Sequence, residues 1–161
     1  EGSDRLVDAE VMRPVFRNLP HLLRNAVDHG IEAPHERGDK PLCGTLRVQI
    51  SESEEFYQVD VDDDGRGVQL GRLGERAVSL GLESEESLAA MDRDARIQLI
   101  FRDGLSAAEI ATDISGRGVG MSAVKAAVEE LGGDIRVLTT EGEGTEIRLR
   151  VRKPDPADIE V

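Results

Sequence analysis

The sequence of 161 residues is short of several things. Cysteine occurs once, at Cys43, so no internal disulfide can form. Positive charge is scarce: 20 Lys and Arg stand against 33 Asp and Glu, a formal net charge of −13. Such an excess repels phosphate backbones and anionic lipid headgroups. It argues against nucleic acid as a partner, and any phosphate must be held locally, by backbone N–H groups and a few placed cations or metals. No apolar run approaches the ~18 residues of a membrane span, and nothing at the N-terminus has the pattern of a signal peptide. Membrane insertion is therefore not expected, and a reducing cytoplasm fits best. No Walker-type Gly-Lys-Ser/Thr is present. The chain opens at Glu1 rather than methionine, which suggests a piece of something longer.

With 39% hydrophobic and 33% charged residues, the chain has the apolar content to build one ordinary core, burying roughly 70% of the surface its unfolded form exposes. Residues 1–161 are read as a single domain with its core over about 10–152 and a short acidic tail over 153–161. Between Leu6 and His29, apolar residues recur at three- and four-residue steps, the pattern of an amphipathic helix. Pro14 and Pro20 each lack an N–H donor, so a break or kink is expected near Asn18 to Pro20, with Pro20 restarting the helix and Gly30 ending it. Ile31 to Gly44 carries loop chemistry. Leu46, Val48 and Ile50, then Tyr57, Val59 and Val61, alternate with polar residues as a hairpin with one buried face. Helical spacing resumes through Leu70, Leu73, Ala77, Val78 and Leu80, and again through Met91, Ile97, Leu99 and Ile100. A glycine-rich stretch precedes a helix over about Val119 to Leu131, and a final hairpin carries Ile135, Val137, Ile147, Leu149 and Val151. Strand pairs interrupted by helices predict an α+β two-layer sandwich, one sheet face covered and the other wet.

Three constellations carry chemistry. Asp60, Asp62, Asp64 and Gly65 open like a calcium loop, but Gly71 stands where that loop needs its bidentate glutamate, and Asp60 and Asp62 alternate with Val59 and Val61 as in a strand. What remains is an Asp63-x-Gly65-x-Gly67 turn at a strand end. It is either a plain turn or a place where a flat heterocycle approaches the main chain while the Asp63 carboxylate accepts from its amine. The run Ser115-Gly116-Arg117-Gly118-Val119-Gly120-Met121 lacks the third glycine and preceding strand of a dinucleotide fingerprint. It opens a helix, so it is either a flexible connection or a phosphate cradle of backbone N–H groups at a positive helix end. Lastly, His21, Asn25, Asp28 and His29 fall on one helix face, at i, i+4, i+7 and i+8. They are either a polar surface or donors suited to hydrated Mg²⁺ with polyphosphate rather than zinc. Together, and in this order, the three supply the parts of an ATP site.

At this point a resemblance is plain. His21-Leu-Leu-Arg-Asn25-Ala-Val-Asp28-His29-Gly30-Ile31-Glu32 resembles the N box of chemotaxis-type histidine kinases, the CheA group of the gyrase, chaperone, kinase and MutL ATPases. Asp62-Asp63-Asp64-Gly65-Arg66-Gly67 resembles their first glycine box, Ser115 to Met121 their second, and Ile100-Phe101 with Gly104-Leu105-Ser106 the phenylalanine box between them. The resemblance runs from about Arg13 to Val151. It implies the Bergerat fold, a mixed sheet covered on one face by helices, with a mobile ATP lid. By matching position it implies Asp63 on the adenine amino group, Asn25 on Mg²⁺, and His21 and His29 near the phosphates with Asp28 beside them. Gly65 and Gly67 would admit the purine. Gly116, Arg117, Gly118, Val119, Gly120 and Met121 would close on the phosphates, and Arg72 and Arg76 could touch them. The chemistry implied is transfer of the ATP γ-phosphoryl group to a histidine on a phosphotransfer domain, and through it to a response regulator, with dimerisation through a segment outside this stretch.

The lid reads Asp103-Gly104-Leu105-Ser106-Ala107 where the family has Pro-Gly-Phe-Ser-Thr, Ser122 follows Met121, and Pro20 precedes His21. The altered lid permits a second reading, a nucleotide-sensing module without phosphoryl transfer. A gyrase- or MutL-like hydrolase would carry a glutamate at the first N-box position, where this chain has His21.

Overall fold

The computed structural model describes residues 9–105 and 120–154. Helix α1 (Ala9–Asn25) passes through both prolines without dividing. The expected restart at Pro20 is not observed. Met12, Val15 and Leu22 are completely buried on one face of α1, and the side-chain amide of Asn18 donates to the Pro14 carbonyl at 2.9 Å. Burial of that face holds the helix together across two missing N–H donors. After Asn25 the chain widens into one π turn (Ala26–Gly30), closed by the Ile31 N–H donating to Ala26 O at 2.7 Å.

A short 3₁₀ turn (Pro34–Glu36) leads to strands β1 (Leu46–Glu52) and β2 (Phe56–Asp63). Helices α2 (Leu70–Ser79), α3 (Glu85–Ala90) and α4 (Arg93–Gln98) follow, then a 3₁₀ turn (Leu99–Phe101). Ser84 and Asp92 cap α3 and α4, accepting from Ser87 N and Ala95 N. Helix α5 (Met121–Glu130) precedes the hairpin β3 (Asp134–Thr140) and β4 (Gly144–Arg152). The sheet order is β1-β2-β4-β3, and every pairing among the described residues is antiparallel, where the resemblance implied a mixed sheet.

One face of the sheet carries Tyr57, Val59, Val61, Val137, Leu149 and Val151, buried against Met12, Val15 and Leu22 of α1 and Met121, Val124 and Val128 of α5. The other face is a ladder of charges. Asp60 lies directly opposite Arg148 and Asp134 opposite Arg150, with ion pairs of 2.8 and 2.7 Å. The covered and wet faces expected from alternation are thus both present. The helices stop short of the edge strand, however. Val48 and Ile50 share the face of Val61 and Val59 but remain 38% and 43% exposed, so the first hairpin buries its inner face on β2 and, in β1, only partly at Leu46.

A cavity between the N-box helix and the first glycine turn

The C-terminal end of β2, the π turn and α2 meet around a cavity of about 500 Å³. Its walls are largely apolar, with Leu22, Ala26, Val61, Leu73, Ile100, Leu105, Met121, Val137 and Ile147 on them. Its polar groups are few and sort by sign: Asp63 and Asp28, the arginines Arg66, Arg72 and Arg76, and Asn25, His29, Gln69 and Thr145. An apolar pocket with a small set of placed polar groups is the form that small-molecule sites take.

Asp63 is the last residue of β2, half-buried, with Gly30 against its carboxylate: a Cβ built on Gly30 would lie 3.4 Å from Oδ1. Burial pushes its pKa above the ordinary carboxylate value, aided by repulsion from Asp62 and Asp64 and opposed by the backbone N–H groups of Gly65 and Thr145. The Gly65 N–H donates to Oδ1 at 2.9 Å. Asp63 is therefore a carboxylate oriented by main chain and held in a poorly solvated place, ready to gain from an external donor.

The two glycines of the turn also have a use within the fold. Gly65 is buried and does not line the cavity; a Cβ there would stand 2.3 Å from the Gly30 carbonyl oxygen. Gly67 does line it, at φ +67°, but its missing Cβ makes room for the Thr140 carbonyl, 2.2 Å from where that atom would be. Both glycines are demanded by the packing of main chain on main chain. Gly142 N–H donating to Arg66 O at 2.7 Å and Val68 N–H to Thr139 Oγ1 at 2.8 Å complete that packing.

The N-box residues separate. Asn25, at the end of α1, and Asp28 and His29, within the π turn, all line the cavity, whereas His21 does not. Single π turns are frequent at functional sites; this one ends the helix, with Ile31 already extended. His21 buries its Nε2 with no hydrogen-bond partner among the described residues, and burial first, then the Arg24 charge, lowers its pKa. Both effects disfavour the charged imidazolium. Arg72 and Arg76 of α2 line the cavity as expected, and Arg76 has its Nε–H buried without a partner.

Arg66 shares that property and was not foreseen, although it is the one cation inside the Asp-x-Gly-x-Gly turn. Thr145, paired with Asp63 across β2 and β4, was also missed, and nothing local to its sequence marks it. Helix α5 begins on the cavity wall at Met121, after the buried N-cap Gly120. Gly116, Arg117, Gly118 and Val119 lie outside the described residues. Among those described, no group of three or more His, Cys, Asp and Glu is placed to hold a metal, and no helix is long and apolar enough to cross a membrane.

Comparison with known proteins agrees with this architecture. The family described as histidine kinase-, DNA gyrase B- and HSP90-like ATPase matches residues 15–155. The chain is 41% identical to a gliding motility regulatory protein of Myxococcus xanthus over 94% of its own length and 20% of that protein's. It is 39% identical to the chemotaxis protein CheA of Halobacterium salinarum, covering 90% and 22%, and 33% identical to the sensor histidine kinase CheAY of Helicobacter pylori, covering 94% and 19%. The chain thus spans about a fifth of the length of these relatives. A blue-light activated histidine kinase of Erythrobacter litoralis shares the fold, with a TM-score of 0.50 at 20% identity over 90% of this chain and 31% of that one. The chain belongs to the histidine kinase-, DNA gyrase B- and HSP90-like ATPases, on their CheA-like branch.

Proposed function

We propose that this chain is the catalytic domain of a histidine kinase, which binds Mg·ATP and transfers its γ-phosphoryl group to a histidine on a separate phosphotransfer domain, serving a response regulator in chemotaxis-like signalling. The observation that carries this reading is the pairing, in one cavity, of the half-buried Asp63 carboxylate with the three guanidinium groups of Arg66, Arg72 and Arg76. A flat base with an exocyclic amine suits the first and a polyphosphate the second. The orphaned Nε–H donors of Arg66 and Arg76 support the phosphate end, because buried donors without partners are costly unless a ligand supplies one. Mg²⁺ fits the hard oxygen donor of Asn25, with phosphate oxygens and water completing its shell. When bound, it would neutralise phosphate charge.

The chain's own contribution is position and charge. Asp63 would accept from the adenine amine beside Gly30 and Thr145. The arginines would hold the phosphates, with Asp28 and His29 on the same cavity wall. The phosphorus would pass from the bridging oxygen of ADP, the leaving group, to an imidazole nitrogen of the incoming histidine, a reaction that needs alignment and charge stabilisation more than a protein nucleophile. His21, off the cavity wall and with burial disfavouring its charged form, would not supply a cation to the phosphates. In the whole protein, residues 1–161 would form one domain joined to others, with dimerisation elsewhere.

Calorimetry with ATP and Mg²⁺, followed by incubation with labelled ATP, tests the reading. This chain alone should bind nucleotide and acquire little label, and an added phosphotransfer domain should acquire acid-labile phosphohistidine. No nucleotide binding would refute the proposal. Binding without transfer would replace it with a nucleotide-sensing module.

A further inference from the structure

The loop over 31–44 carries a side chain whose every proton is committed to the back of the site. The Lys40 ammonium donates to Glu32 Oε1 at 3.0 Å, Asp64 O at 2.9 Å and Gly65 O at 2.7 Å. An ammonium has three protons, and these three acceptors take them all. The two carbonyls belong to consecutive peptide groups, and in a trans peptide the C=O and N–H point in opposite directions. Holding the carbonyls at Lys40 therefore aims the N–H groups the other way. The first, Gly65 N–H, meets Asp63 Oδ1 at 2.9 Å; the second, Arg66 N–H, meets Gly30 O at 2.8 Å.

From this geometry we infer that Lys40, which does not line the cavity, is a positioning residue for Asp63: it fixes the two peptide groups that orient the carboxylate and tie the first glycine turn to the end of the N-box helix. The inference rests on the adenine role proposed for Asp63. The anchor for Lys40 is itself built. Glu32 shares its other oxygen with Arg37 at 3.1 Å, and the fully buried Arg37 guanidinium reaches Asp64 Oδ1 at 2.9 Å and the Pro41 carbonyl. Asp64 Oδ1 also accepts from Thr45 N–H at 2.8 Å. The loop thereby closes on itself and presents one lysine to the turn, from 24 and 25 residues away in sequence.

Lys40→Met keeps the aliphatic stem and removes the donors. It should weaken ATP and adenosine by about ten-fold and leave inorganic triphosphate unchanged, with Lys40→Arg restoring most of the loss. In an Asp63→Ala background, Lys40→Met should cause no further loss. An equal loss in that background, an equal loss for triphosphate, or no loss at all would overturn the inference. Amide exchange of the ligand-free chain gives a readout independent of nucleotide: Gly65 and Arg66 should exchange at least about ten-fold faster in Lys40→Met while α5 and β4 stay protected. Unchanged exchange at both amides would also overturn it. If the unaltered chain ignores adenosine, or Asp63→Ala binds it as well, the adenine reading fails, and the exchange result still decides whether Lys40 holds the turn.

Discussion

Asp63→Asn isolates the chemistry of the carboxylate at nearly constant shape. Oδ1 now accepts the Gly65 N–H at 2.9 Å, and an amide oxygen in its place keeps that bond. The face toward the cavity changes from acceptor to donor and meets the adenine amine donor to donor. A hydrogen bond to a charged group contributes about 1.5–3 kcal/mol, and each ~1.4 kcal/mol is ten-fold, so ATP should bind about ten- to a hundred-fold more weakly. GTP, whose base offers a carbonyl oxygen where adenine offers the amine, should lose less, and the preference between the two should narrow. The pH profile gives a second reading. Burial raises the Asp63 pKa, while an adenine donor favours the ionised form. Affinity should therefore be full above that raised pKa and fall as pH drops through it, an acid limb above the ordinary carboxylate range that the variant lacks. The sign for stability is opposite. A raised folded-state pKa means that the ligand-free fold loses stability as pH rises from the ordinary value through the raised one, and the asparagine variant loses this term. Calorimetry with ATP and GTP, together with thermal melts across pH, measures all of this. Unchanged ATP affinity in a variant that melts normally would refute the reasoning, as would equal losses for ATP, GTP and inorganic triphosphate.

Further outcomes follow from the same geometry. Asn25→Ala should abolish the Mg²⁺ dependence of ATP binding while leaving adenosine affinity unchanged, measured by titration with and without chelator. Arg76→Ala should weaken ATP by about ten-fold or more without affecting adenosine, since it removes a charged donor from the phosphate end only. Arg37→Met would remove the buried cation that Glu32 and Asp64 share, leaving them Lys40 and the Thr45 N–H, and should destabilise the fold by about 1.5–3 kcal/mol in denaturant melts. It should also flatten the acid side of the stability curve. Burial raises the pKa of Glu32 and Asp64, but hydrogen bonds and the Arg37 charge, with Lys40 at Glu32, outweigh it and hold both below the ordinary value. Their contribution is therefore present above the ordinary carboxylate range and lost as pH falls through the lowered values.

The parts legible in the sequence were those written in local pattern. Alternation in Tyr57-x-Val59-x-Val61 and Ile147-x-Leu149-x-Val151 marked the central strands because burial on one sheet face has a period of two. The Asp63 turn and the Asn25 to His29 segment were visible because their chemistry is compressed into a few adjacent residues. The same alternation misjudged β1: Val48 and Ile50 obey the period, but nothing local records that the helices end before the edge of the sheet. Glycine signals close approach, but a contact inside the chain is not written locally: the atom crowding Gly65 is the carbonyl of Gly30, 35 residues earlier in the chain.

By itself, then, the sequence determined the strand and helix order, the sign of the surface, and the residue types at an ATP-like site, all of which depend on neighbours a few positions apart. Tertiary structure alone decided the rest. It carried α1 through two prolines and set Asn25, Asp28 and His29 on the wall of one cavity while leaving His21 off it. It also recruited Lys40 and Arg37 to hold the turn around Asp63. The physical reason is range: a period reports which face is buried, whereas a hydrogen bond between groups 25 residues apart exists only after the chain has closed on itself.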